Sequence, residues 1–446
     1  MATVSRRSVL KGAGAAVGLY AFSPLLGGAF AAAGPQAAAR RRLVVLDLGG
    51  GNDGLNTVVP RNGARRAVYD QVRPTIGLPA SSLLPLDRGT DDGSMGLHPS
   101  LKTLHALYRD DRLAVVQGVD YPNHDYSHFT SNDIWQAGTP DDFGNGGWLG
   151  RHLDRVGVPD DQMRAVGIGG QLAYALRGER YSGVQVNNLG HTHFADGVTP
   201  QALKRHEVFG RFAQHTALDP LRASYGEMCA ATVRLDADTQ GLLAAQPGGL
   251  ADYLLTARTL LTADLGVEVV FVTTSGYDTH ATQVPLHEQL LTDLDQALEA
   301  FWFGTKGGTA VTIDGTTPIG PLDPAVADRT LVMTFSEFGR RIGENAGGTD
   351  HGAAAPMLLA GPPATAASGM RLVPGLHGDH PDVGSTTLPA DNLGLTVDMR
   401  SVYQAVLTGW LRDENGPSPD EGDPGFRLSG PGLEADGSLA GLFAEV

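Results

Sequence analysis

The stretch Arg329–Gly361, RTLVMTFSEFGRRIGENAGGTDHGAAAPMLLAG, decides the fold. An apolar run, Thr330 to Phe335, stops abruptly at Ser336 and Glu337. A Gly-rich loop carrying Asp350 and His351 follows, and a second apolar run, Met357 to Ala360, closes the segment. Short apolar runs bounded by glycine and charge read as strands buried in a parallel sheet. In open α/β sheets, ligands collect outside the carboxyl ends of such strands. Glu337, Asp350 and His351 therefore stand where an acid/base set or a set of metal ligands is needed; a solvated polar loop is the competing reading.

The pattern recurs along the chain. Leu43 to Leu46 (LVVL) reads as the first central strand, Leu113 to Val119 as another, and Val267 to Thr273 (VEVVFVT) as the strongest of all. Met163 to Ile168 and Val184 to Val186 read as shorter strands. Pro99 to Arg109, the stretch running to Ala137, Trp148 to Val156, much of 199–263, Leu286 to Phe303 and Asp398 to Leu411 carry helical spacing. The expectation is one doubly wound, mostly parallel α/β domain over residues 43–446, with helices on both faces. A Gly/Thr/Pro/Asp-rich insertion at 304–328 reads as a surface loop, and Leu376-His377-Gly378-Asp379-His380 as a polar one. Glu268 falls inside a strand, so its burial requires a partner.

The loops after the strands carry the candidate chemistry. The first strand opens into Asp47-Leu48-Gly49-Gly50-Gly51-Asn52-Asp53-Gly54. Its acids would repel a pyrophosphate, so the glycines do not mark a dinucleotide site. Asp47 reads as a carboxylate held for a cation, and Asn52 and Asp53 as turn caps. The strongest strand opens into Thr274-Ser275-Gly276-Tyr277-Asp278-Thr279-His280. Asp278 and His280, one residue apart on extended chain, point to the same side and can reach one ion. His191-x-His193 offers the same spacing without the strand context, and isolated surface histidines are the commoner case. Ser127 stands where a helix starts after a strand. There it suits a nucleophile supported by the helix N-terminus, or an ordinary N-cap.

Bulk properties narrow the function. Forty-nine acids against 33 Lys and Arg give a net charge of -16, which argues against a nucleic-acid partner. The single cysteine, Cys229, excludes an intrachain disulfide and a thiolate zinc cluster. At the N-terminus, Ser5-Arg6-Arg7-Ser8-Val9-Leu10-Lys11 precedes a weakly apolar, Gly/Ala-rich segment from Gly12 to Ala33. Twin arginines before such a segment read as a Tat export signal spanning residues 1–33, with residues 34–42 as a linker. Pro24 and the many glycines favour a removable signal over a stable membrane span. Export through the Tat translocon to the periplasm or beyond delivers proteins already folded, which agrees with a metal loaded beforehand.

The set LVVLDLGGGNDGLN, SHFTSNDIW, GYDTHATQ, SEFGRRIGENAGGTDHG and DMRSVYQAVLTGWL resembles an uncharacterised family of Tat-exported bacterial proteins, a domain of unknown function placed with the alkaline phosphatase and sulfatase superfamily. The resemblance covers essentially the whole chain after the signal. It implies an alkaline-phosphatase-like sheet with divalent metals, such as zinc, calcium, magnesium or manganese, at the strand ends. It also implies a hydroxyl at a helix start attacking a phosphate or sulfate ester. Carried over, Asp47 resembles the carboxylate after the first strand, and Asp278 and His280 the Asp and His of one metal. His351 resembles the late histidine, Glu337 a metal-binding Asp, and Ser127 the nucleophile.

Three departures stand out. One residue, not three, separates Asp278 from His280. Phe338 follows Glu337 where a histidine is expected, leaving Asp350 or Asn52 as substitutes. Matching the Trp and Gly of the nucleophile helix places His128, not Ser127, at the nucleophile position. The sulfatase signature cysteine is absent, which argues against a formylglycine sulfatase. The expectation is an exported metal-dependent hydrolase of a small anionic ester, with Arg340 or Arg341 clamping the anion. A non-catalytic metal- or partner-binding protein on the same fold is the alternative.

Overall fold

The computed structural model describes residues 40–140, 145–156, 162–186, 249–263, 266–313, 315–362, 369–383, 391–411, 432 and 438–445. The expected signal at 1–33, most of the linker, Cys229, and His191, His193, His206 and His215 lie outside the described residues.

Among the described residues, nine strands form the central sheet. In chain order they are β1 (Arg42–Gly49), β2 (Leu113–Asp120), β3 (Ala165–Ile168), β4 (Val184–Val186), β5 (Val269–Ser275), β6 (Thr330–Phe335), β7 (Ala355–Ala360), β8 (Gly375–His377) and β9 (Val397–Asp398). They are arranged β8-β2-β7-β6-β1-β5-β3-β4, and β9 also pairs with β2. The helices that matter are α1 (Gly63–Val72), α2 (Lys102–Arg109), α3 (His128–Ala137), α4 (Trp148–Val156), α5 (Leu250–Thr262), α6 (Gln283–Phe303) and α7 (Met399–Ala405).

The alternation of β1 shows why the sheet is covered twice. Val44, Leu46 and Leu48 point into one core with Leu104 and Leu107 of α2, Leu254 and Leu260 of α5, and Leu291 and Leu298 of α6. Leu43 and Val45 point into the other with Trp135 of α3, Trp148 of α4, and Val402 and Tyr403 of α7. Successive strand residues face opposite sides, so an unbroken apolar run needs a helical layer on each. Burying each Leu or Val contributes roughly 1.5–3 kcal/mol. A register slip of one residue would exchange the two faces.

Register also positions the loops. β1 pairs in parallel with β6, from Arg42 opposite Thr330 to Asp47 opposite Phe335. On its other side it pairs in parallel with β5, from Leu43 opposite Val269 to Gly49 opposite Ser275. The loops after Gly49, Ser275 and Phe335 therefore leave the sheet side by side at its carboxyl edge.

The Met357–Ala360 run was expected in a parallel strand. It lies in β7, which runs antiparallel to both neighbours, with Met333 opposite Leu359 and Leu359 opposite Ala114. A parallel neighbour needs a crossover, usually helical. The chain between β6 and β7 instead folds back through a two-residue ladder, Gly339–Arg340 against His351–Gly352. The start of β7, not its end, thus lies at the carboxyl edge of β6, and His351 arrives there with it.

Smaller differences follow local chemistry. The 304–328 insertion contains two short hairpins and a helix, Pro324–Ala327. Leu376 and His377 form part of edge strand β8 instead of a loop. The last helix ends early and continues as a π turn, Val406–Trp410. Among the described residues, no helix is long and apolar enough to cross a membrane.

Candidate metal centre

Four side chains meet above the carboxyl edge: His128, Asp278, His280 and His351. One ligand atom each from His128, Asp278 and His351 lies within 4.8 Å of the others. Asp278 Oδ1 is 3.1 Å from His351 Nε2 and 3.0 Å from His280 Nε2. Asp278 Oδ2 is 3.5 Å from His128 Nε2. The Nε2 atoms of His280 and His351 are themselves 3.0 Å apart. All four side chains keep contact with solvent, Asp278 at 44% and His280 at 45% exposure.

The other nitrogen of each ring is already engaged. His128 Nδ1 lies 2.7 Å from Glu337 Oε1, His351 Nδ1 3.0 Å from the Tyr126 carbonyl, and His280 Nδ1 3.3 Å from Asp350 Oδ1. With Nδ1 so engaged, each ring turns Nε2 toward Asp278, where it either carries a proton shared with the carboxylate or offers its lone pair to a cation. Two such lone pairs 3.0 Å apart repel each other unless a proton or a cation lies between them.

Different elements supply these groups. His128 is the first residue of α3, and Asp278 and His280 lie on the loop after β5. His351 begins the short ladder before β7. Tyr126 holds a left-handed backbone, φ 60°, on the approach to α3. That conformation costs a tyrosine about 1–3 kcal/mol. It accompanies the carbonyl contact that orients His351.

Asp278 is held by Arg340, whose guanidinium is buried. Arg340 Nη2 donates to Asp278 Oδ1 at 2.8 Å and to the Tyr277 carbonyl at 3.0 Å, and also to the Gly50 carbonyl. Its Nε donates to the Gly51 carbonyl at 2.7 Å, and Nη1 to the Thr349 carbonyl at 2.9 Å. One side chain therefore ties three loops together. Partial burial would raise the Asp278 pKa. Hydrogen bonds from Arg340 and His351, with the charges of Arg340 and His280, overcome this and bring it down to about 2. Arg340 was a candidate anion clamp; it is committed to Asp278 and four carbonyls. Arg341 donates through Nε to the His351 carbonyl at 3.2 Å.

Glu337, expected as a ligand, sits one layer behind. Its buried carboxylate accepts from the Gly50 amide at 2.8 and 3.1 Å, and from the Gly51 amide at 3.3 Å. Its remaining capacity goes to His128 and, at 3.3 Å, to the Ser336 hydroxyl. Phe338 is buried, with its ring centroid 4.9 Å from that of His128 and 4.5 Å from that of His351. The departure from the superfamily pattern is thus filled by an apolar wall.

The remaining candidates separate. Asp47 lies inside β1, on the face of Leu43 and Val45, and is buried. Burial, and next the charge of Glu337, push its carboxyl well above the usual carboxylate range. It is a buried acid beneath Glu337 and outside the convergent set. Asn52 is buried and turned toward His287 and Thr57, at 2.9 and 3.0 Å. Asp53, read as a helix or turn cap, stands at the N-cap position of the short helix Gly54–Thr57 without a side-chain capping bond, and its carboxylate pairs with buried Arg73, just past α1, at 2.6 Å. Ser127 is the N-cap of α3, its Oγ accepting from the Thr130 amide at 3.4 Å. Asp350 is exposed and holds His280. A hydrogen bond from Asn345, the largest influence, keeps its pKa below the ordinary value.

Sequence reasoning placed His128 at the nucleophile position and did not group it with the ligands. The available signal was a histidine at a helix start on the same sheet edge as two other histidine loops. The orienting roles of Tyr126 and Arg340 left no comparable signal.

No curated protein matches the sequence. Among solved structures, the chain is similar to the crystal structure of PsFucS1 sulfatase from Pseudoalteromonas sp., with 10% identity and a TM-score of 0.31. That match covers 90% of this chain and 73% of the other, and a likeness so distant says nothing about the site. Residues 40–305 match the family described as "Protein of unknown function (DUF1501)", and the chain belongs to that family.

Proposed function

We propose that this centre binds one divalent metal ion and hydrolyses phosphate or related esters on an alkaline-phosphatase-like sheet. The observation that carries the proposal is the shared orientation of three histidines. Each has its Nδ1 on an acceptor and its Nε2 turned toward Asp278. Such outer acceptors fix the tautomer and ring of metal-binding histidines. Imidazole nitrogens with one carboxylate suit zinc or a related transition ion better than calcium or magnesium, which favour oxygen.

His128, Asp278 and His351 would hold the ion. A divalent ion held there supplies Lewis acidity, polarising the ester and acidifying a water. Arg340 keeps Asp278 ionised and fixed. His280 is backed by Asp350 and half exposed. In this scheme it manages the proton. Water adds to phosphorus or sulfur and the bond to the ester oxygen breaks. His280 protonates that oxygen as the alcohol leaves, then recovers a proton from the water. In this scheme Ser127 takes no covalent part and its hydroxyl caps α3.

A second reading rests on one distance set. His280 Nε2 lies 3.0 Å from both Asp278 Oδ1 and His351 Nε2, so four protein donors can close around the ion. Closed four-ligand sites are structural. His280→Ala separates the two. We expect metal content near one per chain, with turnover of phosphate and sulfate model esters reduced about 10²–10⁴-fold. Metal without turnover in the parent protein, and loss of that metal in His280→Ala, would favour the closed site. No metal and no turnover in the parent protein would sink both.

Export belongs to the same proposal and rests on Arg6, Arg7 and the weakly apolar segment after them. Replacing both arginines by lysine should leave the folded protein in the cytoplasmic fraction. Unchanged export would refute a twin-arginine route.

A further inference from the structure

A chain of buried hydrogen bonds runs beneath the metal centre. It starts at the ion pair of Arg73 and Asp53, 2.6 Å apart and closed to solvent. Arg73 anchors that end. Its Nη1 also donates to Asn56 Oδ1, its Nε to the Ile342 carbonyl and its Nη2 to the Arg341 carbonyl, each at 2.8 Å. Asp53 Oδ2 accepts in turn from Nε2 of Gln283. Gln283 Oε1 accepts from the Thr349 hydroxyl at 2.7 Å. The Thr349 carbonyl accepts from Arg340, which holds Asp278. Gln283 and Thr349 are both fully buried.

Gln283 is the first residue of α6, three residues beyond His280, and Thr349 directly precedes Asp350 and His351. The Gln283 side chain therefore joins the two histidine loops from inside. Two backbone bonds run beside it, from the Gln283 amide to the Gly347 carbonyl at 3.0 Å and from the Thr349 amide to the Thr279 carbonyl at 3.4 Å. One orientation of the side-chain amide suits both neighbours. An ionised carboxylate only accepts, so Asp53 takes the N–H and the C=O is left to the Thr349 hydroxyl. Burial would raise the Asp53 pKa, but the charge and hydrogen bond of Arg73 bring it below the ordinary value and keep the acceptor ionised. A buried amide is costly unless both its ends are bonded, and a fully bonded buried network holds the segments it joins in one arrangement. Resting on the metal reading above, we propose that Gln283 is a positioning residue of the centre. Through Thr349 it sets where the loop of His351 stands against the loop of Asp278 and His280, and it steadies Arg340 behind Asp278.

Zinc is the probe, titrated into the metal-free full chain against a chromophoric chelator, with urea unfolding of the same metal-free samples alongside. Gln283→Met keeps the length of the side chain and removes both hydrogen bonds, while Thr349→Val removes only the hydroxyl. Each should weaken zinc binding by the folded chain about tenfold, the low end of the cost of losing an outer partner. The double variant should bind no more weakly than the weaker single one, since both cut the same link. Thr349→Ser restores the hydroxyl and should bind zinc as the parent does. With cobalt in place of zinc, the visible absorption bands should shift in Gln283→Met and Thr349→Val and stay parent-like in Thr349→Ser. Parent-like zinc affinity and cobalt bands in Gln283→Met, with only urea stability reduced, would make Gln283 a packing residue and overturn the proposal, leaving the metal reading intact. Losses that multiply in the double variant would overturn the shared link. Should Gln283→Met fail to fold, Thr349→Val decides, because parent-like zinc affinity there overturns the proposal equally. A parent chain that takes up neither zinc nor cobalt overturns the metal reading and this role with it.

Discussion

Glu337 shows how much a single residue's role depends on its surroundings. Its position after β6 marks it as functional, and the sequence reading made it a ligand. Two glycine amides and His128 occupy its oxygens, so it orients His128. Glu337→Gln keeps the shape and removes the charge. Metal affinity should fall about 10–100-fold, the usual cost of losing an outer partner, with the fold retained. Competition with a chelator measures it, and an unchanged affinity would remove Glu337 from the centre. The sequence shows that acids and histidines collect at this edge. It does not show which lies in front, because that depends on Gly50 and Gly51 amides donated from 287 and 286 residues away.

At the scale of elements, the loop after β1 is shaped by the side chains it must clear. Gly50 has φ 123° and Gly51 φ 82°. A Cβ on Gly51 would lie 2.3 Å from the Phe338 ring, and one on Gly50 2.4 Å from the Asp278 amide. Gly51→Ala should therefore displace Phe338 and with it His128. We expect a loss of about 1–3 kcal/mol in denaturant unfolding, together with weaker metal binding. Parent-like values for both would show that the loop has room to move. The glycine run was visible in the sequence. The purpose of the glycines was not visible, because it is set by Phe338 and Asp278 from distant segments. The strands themselves were legible, since apolar runs of this kind have few other uses. The direction of β7 was not, because an apolar run carries no sign of its polarity.

Across the whole molecule, ionisable groups stabilise regions far from the centre. Glu268 was expected to need a partner if buried, and it pairs with Arg164 beside His152. Burial alone would raise its pKa. His152 and Arg164 overcome this and hold it at about 2, below the ordinary 4.5. The folded value lies below the unfolded one, so the stabilisation is complete above about pH 4.5 and disappears as pH falls toward 2. This contribution is on the order of 3 kcal/mol. The stability difference between the parent and Glu268→Gln should shrink across that window in urea titrations. A difference constant with pH would show that the carboxylate's charge is not what matters.

Arg340 has a consequence in time as well as in space. Its guanidinium joins Gly50, Gly51, Tyr277 and Thr349, over separations of up to 290 residues. Contacts that close such long loops come late in folding, because chain closure must precede them. Interactions absent from the folding transition state act mainly on the unfolding rate. The clamp therefore governs how long an assembled centre persists more than how quickly the chain first reaches it.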